Sequence, residues 1–476
     1  MVTRPSPAAK SPAMVIAAGC GATFLSFLDA AVANMAFPAI SRSFPGFDVS
    51  TLTWVVSGYA ISFAGLLAGA GRLADTLGHR RVLLTGLVLF ALASLACGAA
   101  PSLAALIAAR VVQGAGAALL LPSALGAMLS TAAPQRAHTM IGAWSAAGAL
   151  AGAVGPAAGA LLVDVWGWRS LFVVNVPIAA LLIAAVVALA GDGRSRGEFP
   201  DLVAVAAFSA GVAAAVAAIT EGHRWGYTAP LTLSLFVLGA AAPAWALRRS
   251  RRHPRPGINV NLWSSRCFAA SNLVSIAVGI TLFAYLLALP QFFLTVWKLT
   301  LLQAAGCIAI GGAAAMIAAG VITRITTAAT ARWVCTAGLG ANAAAFTIMS
   351  TEAFTDHRDL SLWVGLAIAL GAGVGLAIAA LSVITAATVP PTNFAAGLGL
   401  SLTARQTGGA LGVALVAATL TTGDQFLAST HRLFAILAVT AAAAALISTL
   451  LQPESFRSRH SVRTAVGENT DEGQHR

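Results

Sequence analysis

Fourteen apolar runs of about eighteen residues or more constrain this chain more than any motif does. They lie near residues 14–38, 52–71, 82–99, 103–129, 139–162, 170–190, 202–219, 230–247, 268–296, 301–322, 331–350, 361–388, 394–420 and 433–451. A helix of about twenty apolar residues crosses the ~30 Å hydrocarbon core of a bilayer. No water reaches backbone groups there, so a spanning segment must satisfy them internally, as a helix does. The runs predict an all-α membrane protein with 14 transmembrane helices. Composition agrees: 58% of the 476 residues are hydrophobic and 9% charged, against about 25% charged in soluble domains.

Polar joints at 191–201 and 248–266 sort the runs into six, two and six. The expected organisation is a cytoplasmic segment over 1–13 and a six-helix bundle over 14–190. Two inserted helices with a basic linker follow over 191–266, then a second six-helix bundle over 267–452. The polar, mixed-charge tail over 453–476 is expected to be disordered.

Cytoplasmic loops of membrane proteins collect Lys and Arg. With the N-terminus inside, twenty of the 28 basic residues fall on the inner side and six on the outer, while Arg110 and Arg405 lie within spans. A shift of one helix destroys this asymmetry, so both termini are expected in the cytoplasm. Topology thus accounts for the net charge of +12 without nucleic acid. Ala17 to Cys20 faintly resembles a lipoprotein cleavage site, but the apolar run continues to Ile40, so no cleavage is expected. The five cysteines are scattered singly, which fits small apolar residues and neither a metal site nor a disulfide framework. No Ser/His/Asp set or phosphate loop is present, and all eight histidines fall in loops or tails. An enzyme is not expected, no cofactor or metal is implied, and energy would have to come from an ion gradient.

The sixteen acidic residues sort to span ends, loops and tails, with Asp29 alone deep in a run, in SFLDAAVANMAFPAI. A charge at the bilayer centre costs roughly 2.5–3.5 kcal/mol on insertion scales, and such residues typically mark ion or proton sites. The alternative is a structural hydrogen bond to a neighbouring helix. Asn34, five residues on, lies roughly 140° around the helix and does not share its face. Arg110, in LIAARVVQGAGAALLLPSALG, is the basic counterpart. It must find a partner or water, or else snorkel to the interface. Gly114, Ala117 and Leu121 share its face and permit close helix contact. Whether Arg110 meets Asp29 is left open at this level.

Two further patterns concern movement. In the loop GRLADTLGHRRVLL, Gly71 allows close packing, Asp75 lies one turn further on the same face, Gly78 permits a tight turn, and Arg80 and Arg81 anchor the next helix. In GALAGAVGPAAGALLVDVWGWRS, Gly148, Gly152, Gly155 and Gly159 fall within about 60° of one another, a stripe along which another helix can slide. Pro156 interrupts the backbone ladder within it and predicts a bend.

Together these residues resemble the major facilitator superfamily, and specifically its fourteen-span drug:proton antiporter branch, from about residue 20 to 452. FLDAAVANMAFPAI resembles that branch's first-helix signature, with Asp29, Asn34 and Pro38 on its positions. WVVSGYAISFAGLLAGAGRLADTLGHRR resembles the second helix and the loop motif shared by the superfamily. RVVQGAGAALLLPSALG is similar to the fourth-helix motif, which puts Arg110 on the arginine linked there to proton coupling. GAVGPAAGALLVDVWGWRSLFVVNVPI resembles the fifth-helix motif of exporters and the start of the sixth helix. TLLQAAG (300–306) and TARQTGGALGVAL (403–415) match the second half more loosely.

The resemblance implies two six-helix bundles related by pseudo-symmetry around a central cavity, with two inserted helices and rocker-type alternating access. It also implies that Gly71, Asp75, Gly78, Arg80 and Arg81 form a latch between bundles on the inner side, and that the glycine stripe with Pro156 is the antiporter hinge. There are departures. The corresponding second-half loop, GVITRITTAATARWV, lacks the acidic and glycine positions, so the latch must come from the first half. Asn393 stands where a basic residue is common. No extra acid lies in a C-terminal span, which disfavours export of dications.

The function implied is export of lipophilic drugs or antibiotics from the cytoplasm, across the cell membrane, in exchange for protons. Asp29 would be the titrating switch, and Arg110 would keep its ionised form tolerable. The expected partners are the lipid bilayer, a small lipophilic substrate and protons, with the chain acting as a monomer. Cavity candidates are Asn34, Trp54, Tyr59, Trp144, Phe283, Tyr285, Phe292 and Arg405, although aromatics can equally face lipid. A dedicated exporter of one endogenous metabolite is the alternative. A proton symporter is disfavoured by the glycine stripe, and a receptor by the lack of a sizeable soluble domain.

Overall fold

The computed structural model describes residues 12–47, 49–131, 136–188, 199–355, 359–420 and 425–452. Most of the polar joint over 191–198 and the tail over 453–476 fall outside the described residues. Among the described residues there is no strand, and fourteen helices have fourteen residues or more. In the first group are α1 (Pro12–Ser43), α2 (Trp54–Leu77), α3 (His79–Gly98), α4 (Leu103–Thr131), α5 (Ala137–Trp166) and α6 (Asn175–Ala188). Next come α7 (Leu202–Trp225) and α8 (Pro230–Arg252). The last group holds α9 (Arg266–Thr295), α10 (Leu301–Ile325), α11 (Ala331–Met349), α12 (Leu360–Thr388), α13 (Phe394–Thr419) and α14 (Phe426–Ser448).

Eleven stretches are long and apolar enough to cross a membrane, and a twelfth if the bent α5 counts as one span. This is a multi-pass membrane protein. α11 and α13 fall below that apolarity because they carry polar groups: Arg332, Thr336 and Asn342 in one, and Thr403, Arg405, Gln406 and Thr407 in the other. α14 begins seven residues before the apolar run at 433, which places Arg432 on the exposed side of the helix rather than in a loop. The expected loop at 71–84 is also almost entirely helical. Gly78 alone, at φ 99°, separates α2 from α3, a backbone conformation that glycine adopts without a Cβ penalty.

Local sequence sets the other boundaries. Thr300 and Gln303 close a reciprocal capping box on α10, and the carboxylates of Asp201 and Asp359 cap α7 and α12. α5 is bent by 45° between Gly155 and Ala157, where Pro156 removes a backbone donor.

Helices of the first group pack on one another (α1 on α4, α5 and α6; α4 on α2 and α3), as do those of the last (α9 on α13 and α14; α12 on α10 and α11). The groups meet where α2 packs on α13 and α5 on α10. At this seam, Leu67, Met140 and Trp144 share one apolar cluster with Leu381, Leu398 and Leu402. α7 and α8 pair, and α7 lies against α2 and α13.

Candidate functional site

Asp29 and Arg110 meet. Arg110 Nη1 lies 2.6 Å from Asp29 Oδ2, and both residues are 0% exposed. A buried ion pair offsets its desolvation only when its remaining hydrogen-bonding groups are also satisfied, and here neighbouring helices supply the partners. Asp29 Oδ1 accepts from Gln113 Nε2 at 2.9 Å and from Asn175 Nδ2 at 2.7 Å. Arg110 donates through Nε to the carbonyl of Val55 at 2.9 Å and through Nη1 to Gln113 Oε1 at 2.7 Å. Gln113 Nε2 also donates to Ser94 Oγ at 2.8 Å. The Arg110 guanidinium sits 4.2 Å from the centre of the Tyr59 ring and 5.6 Å from that of Phe172, within cation–π range. Tyr59 Oη in turn donates to the carbonyl of Ser26 at 3.1 Å. One network therefore ties α1, α2, α3, α4 and α6 together, and its Asp29, Ser94, Arg110, Gln113 and Asn175 are all fully buried.

Three donors converge on the Asp29 carboxylate. On the opposite arm, Asn175 Oδ1 is buried with no hydrogen-bond partner among the described residues. The network is thus complete around the carboxylate and holds one spare acceptor beside it.

Gln113, Asn175 and Ser94 were not singled out from sequence. Gln113 carries a signal, since it lies one turn from Arg110 inside an apolar run. Asn175 sits at the start of such a run, where polar residues are common.

The remaining site residues are distributed as follows. Gly71 rests against the backbone of Ala395 on α13 with no room for a Cβ. One turn on, the Asp75 carboxylate accepts the backbone N–H groups of Ala395 at 3.0 Å and Ala396 at 2.7 Å. It caps a helix of the other group, at the positive end of that helix's dipole. Arg72 adds hydrogen bonds to the Pro256 carbonyl at 3.1 Å and to Asn393 Oδ1 at 3.2 Å. Arg80 instead stays within its own group, donating to the carbonyls of Val186 and Val187 at 2.9 Å, and Arg81 is exposed.

Along α5, Gly148 packs on Phe27, Gly155 on Ala31 and Gly159 on Val32, all of α1. Gly152 faces open space, so three of the four glycines form the contact. The side chains of Asn34 and Pro156 lie outside the described residues.

Among the aromatics, Trp54 stacks on Trp225 of α7 with ring centres 6.0 Å apart. Tyr285 and Phe292 pack into the aromatic core of the second group with Phe346, Phe354 and Trp297. Phe283 lies against Gly409. Trp144 is buried at the seam with its indole N–H unpartnered. Arg405 lines a narrow recess between α9, α12 and α13.

Two helical groups are clasped at one end, and an ion pair is sealed within one of them. The Major Facilitator Superfamily family model matches residues 19–351, and the chain belongs to that family. It is similar to multidrug resistance protein Stp of Mycobacterium tuberculosis, 32% identical over 85% of this chain and 75% of that protein. It is also similar to the cephamycin export protein CmcT of Amycolatopsis lactamdurans, 34% identical over 85% and 84%. Puromycin resistance protein pur8 of Streptomyces alboniger is 32% identical over 83% and 79%. The crystal structure of the human organic anion transporter MFSD10 shares the fold, with a TM-score of 0.70 over 92% of this chain and 100% of that one, at 14% identity.

Proposed function

We propose that the protein exports lipophilic drugs or antibiotics from the cytoplasm across the cell membrane in exchange for protons, by alternating access, as a fourteen-span monomer with both termini inside. The observation that carries this reading is the Asp29–Arg110 pair and its enclosure. The three donors favour the ionised carboxylate, so on this reading Asp29 takes a proton when helices separate and withdraw them, which would couple protonation to conformation. A proton arriving at Asp29 neutralises one partner of Arg110 and asks the site for an acceptor, and Asn175 Oδ1 is the buried one at hand. The relatives named for multidrug resistance and for antibiotic resistance or export support the direction and the cargo.

The basic end of the molecule is closed through Gly71, Asp75 and Arg72, which on this reading is the cytoplasmic end in its shut position. Gly78 gives the turn that holds α2 and α3 together, and Arg80 steadies α3 on α6. A second reading, export of a single endogenous metabolite, is favoured by the relative named for cephamycin export. Competition among unrelated lipophilic cations separates the two: mutual inhibition supports the broad pocket, and its absence supports the dedicated one.

The test uses inverted vesicles with an acidic interior and an entrapped pH dye. Adding lipophilic drugs should draw protons out in wild type and not in Asp29→Asn, with drug binding retained in the variant. Equal proton efflux in both would remove Asp29 from coupling.

A further inference from the structure

Arg332 stands at the very start of its apolar run, whereas Arg405, like Arg110, lies well inside one, and the surroundings of these two differ in kind. Arg110 is closed over by a carboxylate, an amide, a carbonyl and a ring. Arg405 makes no hydrogen bond or ion pair with a described residue. No Asp or Glu occurs in α9 to α14 except at the outer helix ends, where Glu352 and Asp359 lie. Its own group therefore offers no carboxylate to it. Ten residues separate Arg405 from Ala395 at the clasped end, roughly 15 Å along a helix and about half the hydrocarbon thickness. A guanidinium keeps its charge at any physiological pH, and intramembrane charges face partners, water or a transport path.

The geometry gives Arg405 a definite aspect. Its carbonyl is sealed against Gly279 of α9. Its side chain lines a recess with Ser275, Ser382, Thr385 and Ser401, walled by Leu381, Leu398 and Leu402. Those three leucines belong to the apolar cluster shared with the first group, so the recess lies at the seam that must part for alternating access. Across that seam α5 packs on α10 and α12, and it carries Trp144 Nε1 and Ser145 Oγ, both buried and unpartnered. The seam thus combines an unpaired cation, hydroxyls, idle hydrogen-bonding groups and leucine walls.

The geometry points to Arg405 as the binding residue for an anionic group of the cargo, a carboxylate or comparable monoanion on an otherwise lipophilic molecule. This deepens the export reading above and rests on it. The planar guanidinium takes a carboxylate through two parallel hydrogen bonds, while the leucines take the apolar body. When the seam parts, the recess widens and the cation is presented to the cargo.

The test compares ibuprofen, a lipophilic carboxylate, with its methyl ester. Thermal stabilisation of the purified full chain reads binding, and pH-driven flux in proteoliposomes reads transport. Ibuprofen should stabilise the wild type far more than the ester does. In Arg405→Gln its apparent affinity should fall about tenfold or more, and Arg405→Lys should keep a reduced preference for the acid. If Arg405→Gln does not fold, the wild-type acid–ester comparison and Arg405→Lys decide the matter. Equal effects of acid and ester, undiminished binding in Arg405→Gln, or the same Arg405-dependent stabilisation by chloride or inorganic phosphate would each overturn the assignment. The two readings fail separately. Arg405-dependent ibuprofen binding without flux would leave this assignment standing and remove export, whereas Asp29-dependent flux of tetraphenylphosphonium with no ibuprofen binding would do the reverse.

Discussion

Replacing Asp75 with Ala should unfasten the clasped end, and the structure sets the scale. The carboxylate holds two backbone N–H groups at the start of α13, at 3.0 and 2.7 Å. Hydrogen bonds to charged groups contribute about 1.5–3 kcal/mol each, and the partial exposure of Asp75 favours the lower value. About 3 kcal/mol of preference for the closed arrangement would be lost, which multiplies the opening equilibrium about 100-fold. Such a change is best read on a residue that only opening exposes. Leu67 is 0% exposed, and its carbonyl lies against Gly399 across the seam. In a background freed of the five native cysteines, Leu67→Cys should react with a water-soluble maleimide about 100 times faster when Asp75 is Ala. Asp75→Asn keeps one acceptor oxygen and should give a smaller acceleration, about tenfold. If all three labelling rates agree, Asp75 does not hold this end shut.

Three other perturbations follow from the same contacts. Gln113→Leu strands Ser94 and withdraws one donor from Asp29 and one acceptor from Arg110, so thermal unfolding should show a loss of about 2–4 kcal/mol. A loss no larger than that of Ser94→Ala would contradict the network. Gly155→Leu forces a side chain into Ala31 of α1 and should lower both stability and transport, whereas Gly152→Leu, which meets open space, should be far milder. Burial opposes the charge of Asp201, but hydrogen bonds from Arg249 and Ala204 outweigh it and hold its carboxyl below the ordinary carboxylate range. Its contribution is therefore complete above that range and is lost as pH falls through the depressed value. Arg249→Gln should unfold at lower temperature than wild type at pH 7, and the gap should close in strong acid; a gap unchanged by acid would refute the pairing.

The helices and the intramembrane charges Asp29, Arg110 and Arg405 were legible because lipid is an exacting solvent: a long apolar run or a charge within it admits few explanations. The partners of Asp29 were not legible. Gln113 and Asn175 reach Asp29 from 84 and 146 residues away; the placement of Gln113 one turn from Arg110 marks it as a partner of the arginine, but nothing local ties either amide to Asp29. Aromatics were the least readable. Trp54, Phe283, Tyr285 and Phe292 suit a cavity wall and a packed core equally well, and only helix rotation decides between them. Gly152 shows the same limit, since a 60° arc of glycines does not say where the partner helix stops. The loop motif at 71–84 misled in one respect. Its polar residues suggest an open connection, but a single glycine makes the turn, and Asp75 acts from the last turn of a helix.

α5 gives the separate parts a common mechanical frame. One side of it carries α1, and so Asp29, through Gly148, Gly155 and Gly159. Another meets the second group where Gly312 rests on Ala153, and the helix is bent by 45° just beyond, between Gly155 and Ala157. Any parting of the seam must therefore move α5 against α10 or against α1. In the second case the helix that bears Asp29 shifts relative to α4 and α6, which hold Arg110, Gln113 and Asn175. Close-packed interfaces move between discrete arrangements rather than deforming continuously, so a seam opening of this kind would break the seal around Asp29 instead of loosening it by degrees. On the proposed antiport reading, a carboxylate sealed while the clasped end is shut would become reachable as that end parts, which is the geometric requirement for coupling one proton site to one conformational cycle.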